Sequence, residues 1–150
     1  MSAKPNYVMT TYGRFPIRFV RGEGALLFDE EGKEYLDLLS GLAVNSLGHA
    51  HPAVGKAIAE QANKLLHVSN LFWTDPMEQL AERLHQSLGW GEVFFANSGA
   101  EANECAIKLA RKWGKEQERY KIISAQRGFH GRTFGSLAAT GQPEKWVGFE

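Results

Sequence analysis

The sequence predicts an α/β chain, on three observations. Short alternating runs joined by Gly-containing turns fill the first forty residues. Two amphipathic stretches with Pro near their starts follow. A strand–helix–strand succession then occupies residues 92–125. Taken in order, Ile17 to Arg21 alternates apolar and polar residues, and Gly22-Glu23-Gly24 turns the chain. Ala25 to Asp29 is a second strand, Glu30-Glu31-Gly32-Lys33 a second turn, and Glu34 to Leu38 a third strand. Runs of this kind pair as an antiparallel meander. Ser40 to Pro52, which contains Gly and His, reads as loop.

Pro52 suits the first position of a helix on which Val54, Ala57, Ile58, Ala62 and Leu65 share a face. Asp75-Pro76-Met77-Glu78 reads as a second helix start, with Asp75 as N-cap and Glu78 reaching back. Met77, Leu80, Ala81 and Leu84 form its buried stripe, and Gly89 and Gly91 end it. Glu92 to Ala96 is an apolar strand, and Asn97-Ser98-Gly99-Ala100 turns into a helix running from about Ala100 to Lys115. Ala102, Ala106, Leu109, Ala110 and Trp113 lie on one face of that helix. Tyr120 to Ala125 is a further strand, so 92–125 forms a βαβ unit with a right-handed crossover. Gln126 to Arg132 is loop and Thr133 to Ala139 a short helix. Two structural regions meet near residues 50–75.

Composition narrows the function. Lys plus Arg equals Asp plus Glu at 17 each, so no basic excess suggests a nucleic-acid partner. Asp occurs only at 29, 37 and 75, which argues against a site built from clustered Asp. The single Cys105 excludes an intrachain disulfide and a multi-cysteine zinc site, and reads as a small buried apolar residue. No apolar run approaches the roughly 18 residues needed to span a bilayer. Met1 to Thr10 has no signal-peptide pattern, so the cytoplasm is the expected compartment.

Two loops carry candidate chemistry. In Asn97-Ser98-Gly99-Ala100-Glu101, a helix N-terminus presents unpaired N–H groups behind residues of almost no bulk. Ser98 and Glu101 have capping-box spacing, so the turn is either a well-capped helix start or a site for a small phosphorylated ligand. Gly128-Phe129-His130-Gly131-Arg132-Thr133 follows the next strand and so lies at the same sheet edge, where open α/β sheets bind ligands. Phe129 offers a plate for a flat ring and Arg132 a planar fork for a carboxylate; the plainer alternative is a core Phe and a solvated Arg. His130 is either a general base or a residue that shapes the loop. His49-Ala50-His51 lacks a second ligand pair and reads as structural, so no metal site is expected. Trp73, Trp90, Trp113 and Trp146 have no regular spacing and read as core or interface residues.

Asn97-Ser98-Gly99-Ala100-Glu101-Ala102-Asn103-Glu104, followed by Ile107-Lys108-Leu109-Ala110-Arg111, resembles the phosphate-loop helix of the class III pyridoxal-phosphate aminotransferases. Phe129-His130-Gly131-Arg132-Thr133 resembles their second cofactor loop. Gly22 to His51, with Tyr35-Leu36-Asp37, Gly41-Leu42-Ala43-Val44-Asn45 and Gly48-His49-Ala50-His51-Pro52, is similar to their N-terminal region. Within the class, Gly135 to Gln142 is most similar to the branch acting on N2-acetylornithine with 2-oxoglutarate, in arginine biosynthesis. Close alternatives are branches acting on ornithine, succinylornithine, succinyldiaminopimelate or 4-aminobutyrate, and, from another class, a non-catalytic fragment.

The resemblance implies the N-terminal part of a fold-type-I α/β protomer that works as a homodimer. Residues 1–65 would belong to its small lobe, with the antiparallel meander. Residues 66–150 would open its large cofactor-binding lobe, with the start of a mainly parallel sheet. It implies pyridoxal 5'-phosphate as cofactor, its phosphate bound by the N–H groups of Gly99 and Ala100 and its ring stacked on Phe129. Arg132 would hold the carboxylate of an amino-acid substrate. It places no catalytic residue in this stretch: the nine lysines at 4, 33, 56, 64, 108, 112, 115, 121 and 145 include none in the context of the family's cofactor-bearing lysine.

Overall fold

A computed structural model describes residues 7–149. The chain forms two compact units, Met1–Leu71 and Phe72–Glu150.

The first unit holds the expected meander: β1 (Phe19–Glu23), β2 (Leu26–Asp29) and β3 (Glu34–Leu36), antiparallel in the order β1-β2-β3. Gly22 pairs with Leu27 and Leu26 with Leu36; a register shift between Phe19 and Arg21 bends β1. Asp29 fixes the second turn. Its Oδ1 accepts the N–H groups of Glu31 at 3.0 Å and Lys33 at 2.9 Å, and Tyr35 donates its hydroxyl to Oδ2 at 3.0 Å. Phe19 meets the Tyr35 ring edge-on at 5.3 Å, and the Arg21 guanidinium lies 3.5 Å from the centre of the Phe28 ring.

After β3 the backbone does something the sequence does not announce. α1 (Ser40–Ala43) is a left-handed turn, with φ of 49°, 62°, 64° and 65° at Ser40, Gly41, Leu42 and Ala43. A left-handed conformation costs a non-Gly residue roughly 1–2 kcal/mol, so three such residues need holding from outside. Asp37 does this: its Oδ1 accepts the N–H groups of Leu39 at 3.0 Å and Ser40 at 2.8 Å. Its Oδ2 lies 2.6 Å from His49 Nε2. A Gly24–His49 backbone bridge, with bonds of 3.0 and 2.8 Å, returns the loop to the sheet.

The His49 contact first, and then the Ser40 amide, hold the Asp37 carboxyl below its ordinary 3.8. Because the folded value is the lower one, the stabilisation is present above pH 3.8 and lost as pH falls through the depressed value. Amide exchange at Leu39 and Ser40, corrected for intrinsic chemistry, is expected to accelerate over that fall. Asp37→Asn, which has no charge to titrate, is expected to show no such step. The same step in both proteins would remove Asp37 as its cause.

α2 (Pro52–Lys64) completes the first unit, with Pro in its first turn as expected. In the second unit α3 (Asp75–Leu88) starts after Thr74, which is the cap residue in place of Asp75. Asp75 and Pro76 are already helical, which Pro tolerates in a first turn. The expected buried stripe of α3 is amphipathic but not buried: Leu80 and Leu84 are exposed. α4 (Gly99–Gly114) packs on α5 (Phe134–Ala139) and runs into a 3-10 turn at Lys115–Gln117.

The expected βαβ ladder is absent among the described residues: neither 92–96 nor 120–125 forms a strand, and no backbone bonds join them. Apolar, β-branched sequence makes a segment extended, whereas pairing depends on which segments lie beside it. The tryptophans are not core residues within this chain: Trp73, Trp90 and Trp113 are exposed, and Trp146, 38% exposed, donates Nε1 to Thr140 O at 2.8 Å and Leu137 O at 3.1 Å. Cys105 is half-buried in place of the expected burial. Burial concentrates around α5, where Ser136, Leu137, Ala139 and Thr140 are enclosed. No described helix is long and apolar enough to cross a membrane.

Candidate functional site

The site residues expected in the second unit gather at the amino end of α4. Ser98 is extended (φ −153°, ψ 159°) and caps the helix, its Oγ accepting the Glu101 N–H at 3.2 Å. The Glu101 carboxylate reaches back as in a capping box, but accepts the Asn97 N–H at 2.6 Å, one residue upstream of the cap. The box therefore ties down the incoming chain. The N–H groups of Gly99 and Ala100 have no partner among the described residues. A Cβ placed at Gly99 would meet nothing within 4 Å, so the helix start is uncrowded at that residue. Free N–H groups and the positive end of the helix dipole together suit an anion.

The second loop is built against that helix end. Arg127 donates its N–H to Gly141 O at 2.7 Å, and Gly141 donates to Gly128 O at 2.9 Å, closing the loop base. The buried Thr140 hydroxyl accepts the His130 N–H at 3.0 Å and faces Gly131 O and Ser136 O, each at 3.1 Å. From α4, Asn103 Nδ2 donates to His130 O at 2.6 Å. The neighbouring Glu104 accepts the Thr133 hydroxyl, and the Ser136 N–H at 3.0 Å. Between these ties Gly131 turns at φ 132°, so close to α4 that a Cβ would lie 2.7 Å from Ala100 Cβ and 2.4 Å from Ser136 Oγ. Both the dihedral and the space require glycine.

Phe129 and Arg132 flank this turn. The Phe129 ring is 55% exposed, and the Arg132 guanidinium carbon lies 5.7 Å from its centre. The arrangement thus presents two free amide donors, an accessible aromatic face and a guanidinium around one short turn. His130 is fixed through its backbone on both sides, and its buried Nδ1 has no hydrogen-bond partner among the described residues. In the first unit, His49 is bound by Asp37, an attachment that the sequence reading did not identify. It also missed the holding residues Asn103, Glu104, Ser136 and Thr140, whose partners lie ten to thirty-two positions away.

Gly131→Ala is expected to destabilise the protein by on the order of 2–4 kcal/mol, from overpacking and a disfavoured backbone. Denaturant unfolding of the full-length protein measures this; a loss below about 0.5 kcal/mol would mean that the loop does not sit on Ala100 as described.

Residues 7–148 match the family described as aminotransferase class-III, and the chain belongs to that family. It is 55% identical over 146 residues to acetylornithine aminotransferase of Caldanaerobacter subterraneus subsp. tengcongensis, covering 95% of this chain and 37% of that protein. It is 55% identical over 148 residues to acetylornithine aminotransferase of Aquifex aeolicus, covering 96% of this chain and 39% of that protein. The chain therefore spans under two-fifths of the length of these relatives. Among solved structures, ornithine aminotransferase from Toxoplasma gondii ME49 superposes with a TM-score of 0.89 at 32% identity, covering 96% of this chain and 35% of that one. An omega transaminase from Pseudomonas jessenii in complex with PMP superposes at 0.81 and 33% identity, covering 89% and 31%. The α/β class and the family expected from the sequence are those found.

Proposed function

We propose that the chain is the N-terminal part of an aminotransferase that moves an amino group between N2-acetyl-L-ornithine and 2-oxoglutarate with pyridoxal 5'-phosphate. The observation that carries the reading is the open amino end of α4, packed through Ala100 against the Gly131 turn that bears Phe129 and Arg132. Its amide donors fit a phosphate dianion, and the exposed Phe129 ring, two residues before Gly131, fits a flat heteroaromatic cofactor. Gly99 and Ala100 would hold the phosphate through their N–H groups, Phe129 would lie against the ring, and Arg132 would bind the substrate carboxylate through its planar fork. The cofactor, when bound, supplies an electron sink for the charge left on a substrate carbon as its proton is removed. Arg132 would orient that carbon by fixing the carboxylate. Identities near 50% to acetylornithine aminotransferases support the choice of substrate.

On this reading residues 1–65 belong to a small lobe and 66–150 open a large lobe. The whole protein works as a homodimer in the cytoplasm, in arginine biosynthesis. The test is to give the full-length protein 2-oxoglutarate with each donor separately and follow glutamate formation. N2-acetylornithine is expected to have the highest kcat/KM among itself, ornithine, succinylornithine, succinyldiaminopimelate and 4-aminobutyrate. A better rival would reassign the substrate, and no glutamate from any donor would overturn the reading.

A further inference from the structure

The helix that carries Arg132 at its entrance lacks a cap of its own. Thr133 is the cap residue of α5, with φ −74° and ψ 157°, yet its side chain caps nothing. Its hydroxyl is donated to Glu104 Oε1 on the neighbouring helix and lies 2.7 Å from Ser136 Oγ. The amides that Thr133 would ordinarily satisfy are those two and three residues on, Gly135 and Ser136. The Ser136 N–H donates instead to Glu104 Oε1 at 3.0 Å, and the Gly135 backbone lies close against the same carboxylate. Gly135 makes this possible, since a Cβ there would lie 2.3 Å from Glu104 Oε2. One α4 carboxylate thus does the work of a helix cap across a gap of about thirty residues.

We propose that Glu104 is a positioning residue, which caps α5 from α4 and so sets Arg132 at a fixed place relative to the amino end of α4. The proposal rests on the function above. With its neighbour Asn103, which holds His130 O, Glu104 pins the Gly131-Arg132 turn from both sides. Arg132 lies in the short stretch between the two attachments, beside Gly131, which sits so close to Ala100 that a Cβ would not fit. The Thr133 hydroxyl foremost, then the Ser136 amide, keep the Glu104 carboxyl below its ordinary 4.5 against the opposing effect of burial, with smaller help from Gly135 and Lys108. Glu104 therefore acts as a charged acceptor at neutral pH, the form that binds amide donors best. It is no catalytic residue: its carboxylate is engaged by α5 and acts on substrate only through the loop.

The test compares Glu104→Ala and Glu104→Gln in the full-length holoenzyme. Glu104→Ala is expected to raise KM for 2-oxoglutarate and the dissociation constant for pyridoxal phosphate by about tenfold each, the scale of a lost cap. Amide exchange over residues 133–137 is expected to quicken. Glu104→Gln is expected to stay within about threefold of wild type, since an amide oxygen in the place of Oε1 still accepts from both the Ser136 N–H and the Thr133 hydroxyl. A Glu104→Ala enzyme with KM, dissociation constant and exchange all within twofold of wild type overturns the proposal. So does a fall in kcat shared by both variants with KM unchanged, which would put the carboxylate itself in the chemistry. Should Glu104→Ala fail to fold, Thr133→Val replaces it: faster exchange at 135–136 with a raised KM supports the clamp, and unchanged values overturn it. If wild type neither transaminates nor binds pyridoxal phosphate, the functional reading fails. The exchange comparison on that protein then decides by itself whether Glu104 caps α5.

Discussion

Arg132→Lys in the full-length protein is expected to lower kcat/KM for N2-acetylornithine by two to three orders of magnitude while pyridoxal phosphate stays bound. Arg132 follows the Gly131 turn seated on Ala100 and precedes Thr133, which is bound by Glu104, so its backbone has little freedom. Its guanidinium carbon stands 5.7 Å from the centre of the Phe129 ring, beside the proposed seat of the cofactor ring. A planar fork from this position gives a carboxylate two parallel charge-assisted bonds, each contributing roughly 1.5–3 kcal/mol. Lysine keeps the charge but has one mobile ammonium, so it keeps at most one of the two bonds and loses the fixed angle. One lost bond and a misaligned substrate account for a fall of about 10²–10³ in rate. The proposed phosphate donors are backbone amides of Gly99 and Ala100, which the substitution does not touch. Cofactor absorbance and initial-rate kinetics on the same samples separate the two effects. Near-normal kcat/KM in Arg132→Lys would remove the residue from carboxylate binding. Loss of the cofactor along with activity would mean that Arg132 supports the cofactor seat instead.

What the sequence discloses and what it hides divide along sequence separation. The meander is legible because each strand is followed within a few residues by its turn, and Asp29 closes the second turn on its own neighbours Glu31 and Lys33. The capped amino end of α4 is legible for the same reason: Ser98 and Glu101 stand three residues apart, at capping-box spacing, and Ser98 accepts the Glu101 N–H. The docking of the second loop is hidden, because Asn103 and Glu104 find their partners 27 to 32 residues on. Their presence in a family-like motif says that they matter without saying what they touch. The left-handed turn at 40–43 is hidden too. Only Gly41 hints at it, and the residue that holds it, Asp37, is itself fixed by His49 twelve positions later. Strand pairing at 92–96 and 120–125 fails for a related reason. Local sequence selects extended backbone, but a ladder is a property of two segments, and loop-closure cost and neighbouring surface decide which two meet.

Residues 1–150 produced alone are expected to associate or bind hydrophobic dyes, to unfold without a cooperative transition, and to catalyse no amino-group transfer. Side chains that normally form a core stand open to solvent: Phe94 is 65% exposed, Ile123 96% and Trp73 81%. Covering one such side chain stabilises a fold by roughly 1.5–3 kcal/mol, so leaving dozens exposed forfeits more than the 5–15 kcal/mol that separates typical folded and unfolded states. Segments 92–96 and 120–125 add backbone donors and acceptors without ladder partners, which are templates for pairing with another chain. Enclosed residues cluster around α5, too few to resist this. The anion site would survive only in part: a helix end contributes about 0.3–2 kcal/mol toward a charged ligand, which corresponds to weak retention of pyridoxal phosphate. The resemblance implies that none of the nine lysines is the family's cofactor-bearing lysine, so borohydride reduction with the cofactor present is expected to label them sparsely and at several positions. Calorimetry and a labelling map check both halves of the expectation. A sharp two-state transition would show that the exposed apolar faces are not decisive. One lysine labelled stoichiometrically, with glutamate formed from 2-oxoglutarate, would show that the covalent chemistry resides in this chain after all.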